Sequence, residues 1–262
     1  MIALQRGGLT TLRNSFRMWI LMVLVVLVVL VVLGSVSVLS GQNTGRFAGV
    51  WQGYTQTQLR TIPEERKKMF AFTAEAPPML PWAREKFEAN VDPTKEEPND
   101  HGRMERDPGM HCYPPGPTWM HIQPRPFEFL ELPGRIFIRY EWDRVLREIW
   151  MDGREHPKDM DPTWMGHSIG RWEGDVLVVD TVGVTEKTWL DLAGHVHSDS
   201  LHIVERFWRK DQETLILDIT FNDPIAYSRP WSGQRTFKLR PGFQVEEHVG
   251  CEIHLIREHK LQ

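Results

Sequence analysis

The pattern of hydrophobic and polar positions divides this chain into three parts. Residues 18–39 contain no charged side chain, and positions 18–33 are apolar throughout. As a helix, this segment would be about 33 Å long, enough to cross a hydrocarbon core of roughly 30 Å. After residue 126, short apolar runs alternate with turn residues, a pattern typical of closely spaced antiparallel strands. The pattern therefore predicts a membrane-spanning helix, a loosely patterned lead-in and a β-rich domain.

The charges beside the apolar segment predict its orientation. Arg6, Arg13 and Arg17 precede it, and the first acidic residue is Glu64. The positive-inside rule then places the N-terminus in the cytoplasm and the rest of the chain outside it. We therefore divide the chain into a cytoplasmic N-terminus at 1–17, an anchor at 18–40, a lead-in of loops and short helices at 41–125 and a β-rich domain at 126–262. We expect the lead-in and the β-rich domain to pack as one unit.

A cleaved secretory signal peptide is the alternative interpretation of the same segment. Signal peptides share this order of charges, but their apolar region is shorter and ends at a small-x-small cleavage site. The candidate sites at 35–37 and 38–40 lack the preferred alanines. The length of the run, which begins at Met18 and Trp19 and reaches Leu33, favours an uncleaved anchor, and cleavage stays open as the alternative.

The β-rich part predicts eight or nine strands at hairpin spacing with no helices between them. This spacing indicates a mainly β fold, an antiparallel barrel-like or sandwich domain, rather than a Rossmann-type sheet. We favour the barrel, because closure removes exposed strand edges. The predicted strands are 47–54, 127–132, 135–141, 145–151, 176–181, 201–209, 214–221, 234–240 and 244–256, and short helices are predicted at 63–72 and 81–90.

Composition narrows the function classes. The 262 residues are 41% hydrophobic and 25% charged, with a formal charge of −4, which excludes a wholly disordered chain and gives no sign of nucleic-acid binding. The two cysteines, Cys112 and Cys251, predict a disulfide outside the cytoplasm, although two buried thiols are the alternative. Such a bridge would stabilise the fold by about 4–5 kcal/mol in the entropic treatment.

Two motifs suggest chemistry, but neither has the context that its chemistry needs. Gly166-His167-Ser168-Ile169-Gly170 matches G-x-S-x-G, yet a nucleophile elbow lies between a strand and a helix, and here we predict a β-turn. His195 and His197 are the best candidates for metal ligands. Their loop position favours locally hydrogen-bonded or solvated histidines, and we expect neither a metal nor another cofactor.

Tryptophans and arginines on or beside the predicted strands are the strongest candidates for binding. They would line a ligand pocket, form a protein–protein interface or build a Trp-rich core. Glu205 lies on an alternating strand and is a candidate interior carboxylate paired with an arginine. The candidate ligand- or partner-binding residues are Trp142, Arg144, Trp150, His167, His197, Glu205, Arg206 and Trp231.

Four segments carry a resemblance to a known family. They are the stretch from Arg125 to Phe129, the stretch from Arg147 to Arg154, the Arg-Trp-Glu-Gly-Asp-x-Leu-Val-Val-Asp-Thr motif at 171–181, and His197-Ser-Asp with Glu205-Arg206. On these residues, the chain resembles a large group of exported bacterial proteins without an assigned activity, over roughly 82–253. The resemblance supports the disulfide, because members often carry cysteines at the two positions, and it transfers no catalytic residues. The N-terminus departs from the Ala-rich signal peptides typical of the group, which favours recruitment to a membrane.

Together, these features predict a single-pass protein of the bacterial inner membrane with a periplasmic β-domain. We expect a non-catalytic accessory or scaffolding subunit whose partners are the bilayer and the subunits of a membrane complex. The architecture is similar to that of accessory subunits of respiratory or photosynthetic complexes. The alternative is a periplasmic enzyme or carrier that binds a small amphipathic molecule in a barrel pocket, where His167, His197, Glu205 and Arg206 would converge.

Overall fold

A closed barrel of nine β-strands forms the body of the chain, as the strand spacing predicts. The computed structural model describes residues 45–53, 71–73, 75–91 and 107–247, all within one compact unit, Asn43–Gln262. The strands are β1 Val50–Gln52, β2 Phe127–Leu132, β3 Arg135–Tyr140, β4 Leu146–Trp150, β5 His167–Glu173, β6 Val176–Val182, β7 His202–Asp211, β8 Thr214–Asn222 and β9 Trp231–Leu239.

The strands follow one another around the barrel in chain order. Each strand pairs with the next, and β9 pairs with β1 through Trp51 and Leu239, which closes the sheet. All neighbouring pairs are antiparallel except β4 and β5, which are parallel with Ile149 opposite Ser168. A parallel pair needs a long return connection, and the chain between 151 and 166 provides it.

Strand β5 corrects the prediction of a β-turn at positions 166–170. Gly166 alone has the positive φ of a turn, at +66°, and Ser168 and Gly170 lie within β5. A side chain at Gly170 would place its Cβ 2.6 Å from Met151 Sδ and 2.7 Å from Ile149 Cγ2. Gly170, the second glycine of the motif, therefore allows β5 to pack closely against Ile149 of β4 and against Met151, the residue after β4.

The alternation of side chains separates the interior of the barrel from its outer wall. On β7, Ile203, Glu205 and Phe207 are buried inside, and the intervening residues, such as Arg206, face outwards. The buried core contains many aromatic side chains. Its fully buried rings include Phe127, Phe129, Tyr140, Phe207, Phe221 and Phe237.

The described residues of the lead-in include strand β1, one helix and a buried 3-10 turn. Helix α1, Pro81–Val91, confirms the predicted second helix and packs beside the barrel loops, where Asn90 Nδ2 donates to the Gly194 carbonyl at 3.0 Å. The 3-10 turn Trp119–His121 is buried, and the His121 ring contacts the interior rings of Phe127 and Phe207. Two further 3-10 turns are Pro108–His111 and Trp142–Arg144.

Several predicted features lie wholly or largely outside the described residues. They are the anchor at 18–40, the helix at 63–72, Cys251 and most of the strand at 244–256. The described part of that last strand, 244–247, is not β-structure. Among the helices in the described ranges, none is both long and apolar enough to span a membrane.

Candidate functional site

A buried charged cluster lies inside the barrel. Glu205 of β7 pairs with Arg147 of β4, and both side chains are almost completely inaccessible to solvent. Arg147 Nη1 donates to Glu205 Oε1 at 2.9 Å, and Nη2 contacts Oε2, so the pairing is bidentate. His121 Nε2 lies 2.8 Å from Oε1. The predicted pairing of an interior Glu205 with an arginine is confirmed.

Two hydroxyl groups complete this interior cluster. Arg147 Nη2 donates to Thr181 Oγ1 at 2.9 Å and to Ser168 Oγ at 3.2 Å, and the two hydroxyl oxygens are 2.9 Å apart. Ser168 is the serine of the G-x-S-x-G sequence. Its oxygen is engaged by the guanidinium and by Thr181 inside the barrel, an environment unlike that of an exposed nucleophile on an elbow.

The electrostatics of the cluster favour an ionised glutamate and a neutral histidine. Burial by itself would raise the pKa of Glu205, but the Arg147 charge and the hydrogen bonds from His121 and Arg147 lower it to about 2. Burial lowers the pKa of His121 below its ordinary value of 6.5. A neutral His121 that donates through Nε2 to Glu205 leaves Nδ1 as an acceptor, and the Tyr140 hydroxyl lies 3.5 Å from it.

Aromatic rings surround the interior cluster closely. The His121 ring centroid is 5.5 Å from that of Phe207 and 6.2 Å from that of Phe237. Phe237 in turn meets Phe127 edge to face at 4.9 Å. This part of the barrel interior is therefore packed with side chains around a self-satisfied ion pair.

The four residues expected to converge in a pocket do not meet. Glu205 is interior, whereas its neighbour Arg206 faces outwards and pairs with Glu173 at 2.8 Å. His167 also lies on the outer side of the barrel, with its Nδ1 2.8 Å from His156 Nδ1. His197 is buried in the loop before β7. Glu205 and Arg206 are separated because adjacent residues of a strand point to opposite faces.

The two candidate metal-binding histidines have separate partners. His195 Nδ1 lies 2.7 Å from Asp191 Oδ2, while His197 Nε2 lies 2.8 Å from Thr188 Oγ1. Burial lowers the pKa of His197, which favours its neutral form. Over the described ranges, no three His, Cys, Asp or Glu side chains are arranged to hold a metal ion.

The remaining predicted aromatic and arginine residues occupy different regions. Trp142 packs against Trp119 at the end of the barrel, with ring centroids 5.2 Å apart. Arg144 forms an exposed ion pair with Glu247 at 2.8 Å. Trp231 is buried at the start of β9. The eight predicted site residues therefore do not form one site.

Trp150 belongs to an outer surface that we call the β3–β4 face. The guanidinium carbons of Arg135 and Arg154 lie 4.5 and 3.6 Å from the Trp150 ring centroid. Leu146, on the outer side of β4, and Leu132, at the end of the β2–β3 hairpin, are each more than half exposed. This face combines two arginines and a tryptophan with exposed apolar side chains.

A second polar group lies outside the barrel, on β6 and β7. Asp180 Oδ1 lies 3.0 Å from His156 Nε2 and 2.8 Å from His202 Nε2. Because His156 also contacts His167, the three histidines and the aspartate form a continuous outer chain. Sequence reasoning did not bring these residues together, because their contacts depend on the register of three strands.

The eight predicted site residues include neither Arg147 nor His121. Arg147 has a detectable signal, since it shares the period-two face of β4 with the buried Ile149. His121 lies in a 3-10 turn without such a pattern. Only its position inside the closed barrel shows its role.

Comparisons with known proteins add no identification. No family model matches the chain. No curated protein matches it either. The disulfide stays a prediction, because Cys251 lies outside the described residues, while Cys112 is half-buried after the 3-10 turn Pro108–His111.

Proposed function

We propose that this chain is a non-catalytic accessory or scaffolding subunit of a bacterial membrane protein complex. The segment at 18–40 would anchor it in the inner membrane, and the barrel would bind a protein partner in the periplasm. Energy-transducing complexes, respiratory or photosynthetic, are the class of assembly that we favour by analogy of architecture.

The packing of the barrel interior is the observation that carries this proposal. Glu205, Arg147 and His121 satisfy one another, and aromatic rings enclose them. A carrier that held its ligand at this position would have to displace these side chains and expose a buried ion pair, which is costly. The described interior therefore suits a rigid body that presents its outer wall.

The β3–β4 face supplies the chemistry of a protein interface. Tryptophan and arginine are the residue types that most often dominate binding energy at such interfaces. The two flanking arginines hold the ring of Trp150 in place, so little side-chain entropy would be lost on binding. The exposed Leu132 and Leu146 extend the apolar area beside it.

Native mass analysis of the full chain, extracted from membranes in mild detergent, tests the proposal. We expect a defined hetero-complex for the wild-type chain. Trp150→Ala should weaken the complex by at least about tenfold, as for a binding hot spot. The matched control is Trp208→Ala, because Trp208 also lies on the outer wall but is hydrogen-bonded to Asp218 at 2.7 Å. A wild-type monomer without partners would contradict the proposal.

A further inference from the structure

His156 attaches an exposed part of the connection between β4 and β5 to the outer wall of the barrel. Residues 152–159, which we call the 152–159 loop, contain no helix or strand, and His156 is the one residue among them that is not exposed. Its Nε2 lies 3.0 Å from Asp180 Oδ1 of β6, and its Nδ1 lies 2.8 Å from His167 Nδ1 of β5. The side chain of His156 therefore holds the loop against two strands.

The contact between His156 and His167 has room for one added proton but not for two. The ring centroids are 5.0 Å apart, close to the largest separation that a 2.8 Å contact between ring nitrogens allows, so the two nitrogens point at each other. The Asp180 carboxylate accepts from His156 Nε2, so Nδ1 of a neutral His156 is an acceptor and His167 Nδ1 donates to it. If both rings are charged, two N–H groups oppose each other and the hydrogen bond is lost.

The charges around this pair come from several elements of the barrel. The groups that interact with the pair are Asp180 of β6, His202 of β7, Arg154 of the loop and Glu148 of β4. Burial lowers the pKa of His167 below its ordinary value of 6.5, as do the charges of His156 and Arg154, while Glu148 opposes them. The folded state thus binds this proton less tightly than the unfolded state, so the stabilising contribution is present above about pH 6.5 and is lost as pH falls below it.

We propose that the contact between His156 and His167 is a pH-sensitive switch that controls the position of the 152–159 loop. Above about pH 6.5, the hydrogen bond is formed and the loop lies against the outer wall. When both rings are charged, the hydrogen bond breaks and the loop leaves the wall. Met151 and Thr163 limit the movement, because their backbone N–H groups donate to carbonyl groups of other parts of the chain.

Release of the loop also changes the β3–β4 face. The Arg154 guanidinium carbon lies 3.6 Å from the Trp150 ring centroid, and Arg154 is two positions before His156 in the same loop. A released loop takes Arg154 away from Trp150 and removes one of the two arginines that hold this ring. The effect on partner binding rests on the proposed function, whereas the switch itself is a property of the chain alone.

Histidine NMR on the full chain in detergent tests the switch. In protein labelled with ¹⁵N at histidine, the ring shifts show which nitrogen carries the proton, and a coupling across the N–H···N hydrogen bond reports the contact. At about pH 8, we expect a proton on His167 Nδ1, a proton on His156 Nε2 and a coupling between the two Nδ1 atoms. At about pH 5, both rings should be charged and the coupling absent. A missing coupling at pH 8, or one that persists at pH 5, would overturn the inference.

Limited proteolysis measures the release of the loop, since Glu155 immediately precedes His156. A glutamate-specific protease should cleave after Glu155 roughly tenfold faster at about pH 5 than at about pH 8, relative to an unstructured peptide of the same sequence. His167→Gln removes the partner that titrates, so this pH dependence should disappear. His202→Gln is the matched control, because His202 also lies 2.8 Å from Asp180 but is not part of the pair, and it should keep the pH dependence.

Two results of the proteolysis would contradict the switch. They are an equal pH dependence in wild type and His167→Gln, and loss of the pH dependence in His202→Gln. Neither the NMR nor the proteolysis involves a partner, so failure of the switch is distinguishable from failure of the proposed function.

Discussion

Glu205 and Arg206 are adjacent residues whose charges have opposite surroundings. Glu205 is buried against Arg147 in the barrel interior, whereas Arg206 pairs with Glu173 where both side chains are more than a third exposed. Water screens the outer pair, while the inner pair depends on its partners for all compensation of lost hydration. Loss of one partner should therefore affect the stability of the fold much more on the inner face of β7 than on its outer face.

Removing the interior carboxylate charge should destabilise the fold severely. In Glu205→Gln, Arg147 remains buried without a counter-charge, and we expect a loss of about 3–5 kcal/mol in the free energy of unfolding. Urea denaturation of the wild type and the variant measures this loss. The matched control, Glu173→Gln on the outer wall, should lose far less, because water screens that ion pair. Similar losses of unfolding free energy in Glu205→Gln and Glu173→Gln would contradict the difference between the buried and the exposed ion pair.

Asp107 and Glu205 should affect the pH dependence of stability in opposite senses. The pKa of Asp107 is raised in the folded state, whereas that of Glu205 is lowered. Burial raises the pKa of Asp107 from 3.8 to about 6, although hydrogen bonds from Trp119 and Gly109 lower it. The folded state thus binds the proton more tightly than the unfolded state. Its stabilising contribution is fully present below about pH 3.8 and is lost as pH rises through about 6.

The Asp107→Asn variant isolates this contribution, since asparagine does not titrate. Between pH 4 and pH 7, the stability of the wild type relative to the variant should fall by roughly 2 kcal/mol, since each unit of pKa difference between folded and unfolded states corresponds to about 1.36 kcal/mol. Thermal or urea unfolding at several pH values measures the difference. Parallel curves for the two proteins would show that Asp107 does not titrate in this way.

At the scale of elements, the approach of β4 to β5 depends on a residue without a side chain. These strands are the parallel pair of the barrel, and only two residue pairs join them. Gly170 lies against Ile149 and Met151, so that the short pairing can form without steric conflict. The outer Trp150 is positioned by the same region of β4.

Gly170→Ala should destabilise the barrel at this seam. The added Cβ would lie 2.6–2.7 Å from side-chain atoms of Met151 and Ile149, and overpacking of this kind costs about 1–3 kcal/mol. Chemical denaturation provides the measurement. Gly53→Ala is the control, because the nearest atom there is 3.7 Å away, and it should be neutral or slightly stabilising. Equal effects at the two glycines would rule out the packing explanation.

At the scale of the whole molecule, the anchor and the barrel carry different parts of the proposed function. The barrel presents its outer wall, and segment 18–40 would concentrate that wall at the membrane. Attachment to a surface raises the effective concentration of a weak interface, so a modest contact area could be sufficient for assembly.

N-terminal sequencing of the protein extracted from membranes tests the anchor. We expect residues 1–39 to be retained, because the apolar run is longer than the apolar region of an ordinary signal peptide. A chain that begins after Ser40 would show cleavage and would contradict the anchored form of the proposal.

Local sequence patterns determine much of the fold. The period of two in strands such as β7, together with the turn residues between strands, predicts their positions and places Glu205 inside. These signals depend only on neighbouring residues and on the burial of one face. They do not show that β4 and β5 are parallel, since a connection of this length is compatible with either direction.

The residues at the candidate sites meet only in the tertiary structure. Glu205 is 58 positions from Arg147 and 84 from His121, so their contacts require the register of several strands and closure of the barrel. The same is true of Asp180 and His156, which come from β6 and from the connection before β5. The sequence by itself determined most of the strands and the buried face of β7, and it predicted the anchor. Only the closed barrel decided which polar groups are paired, because pairing depends on distances between distant parts of the chain.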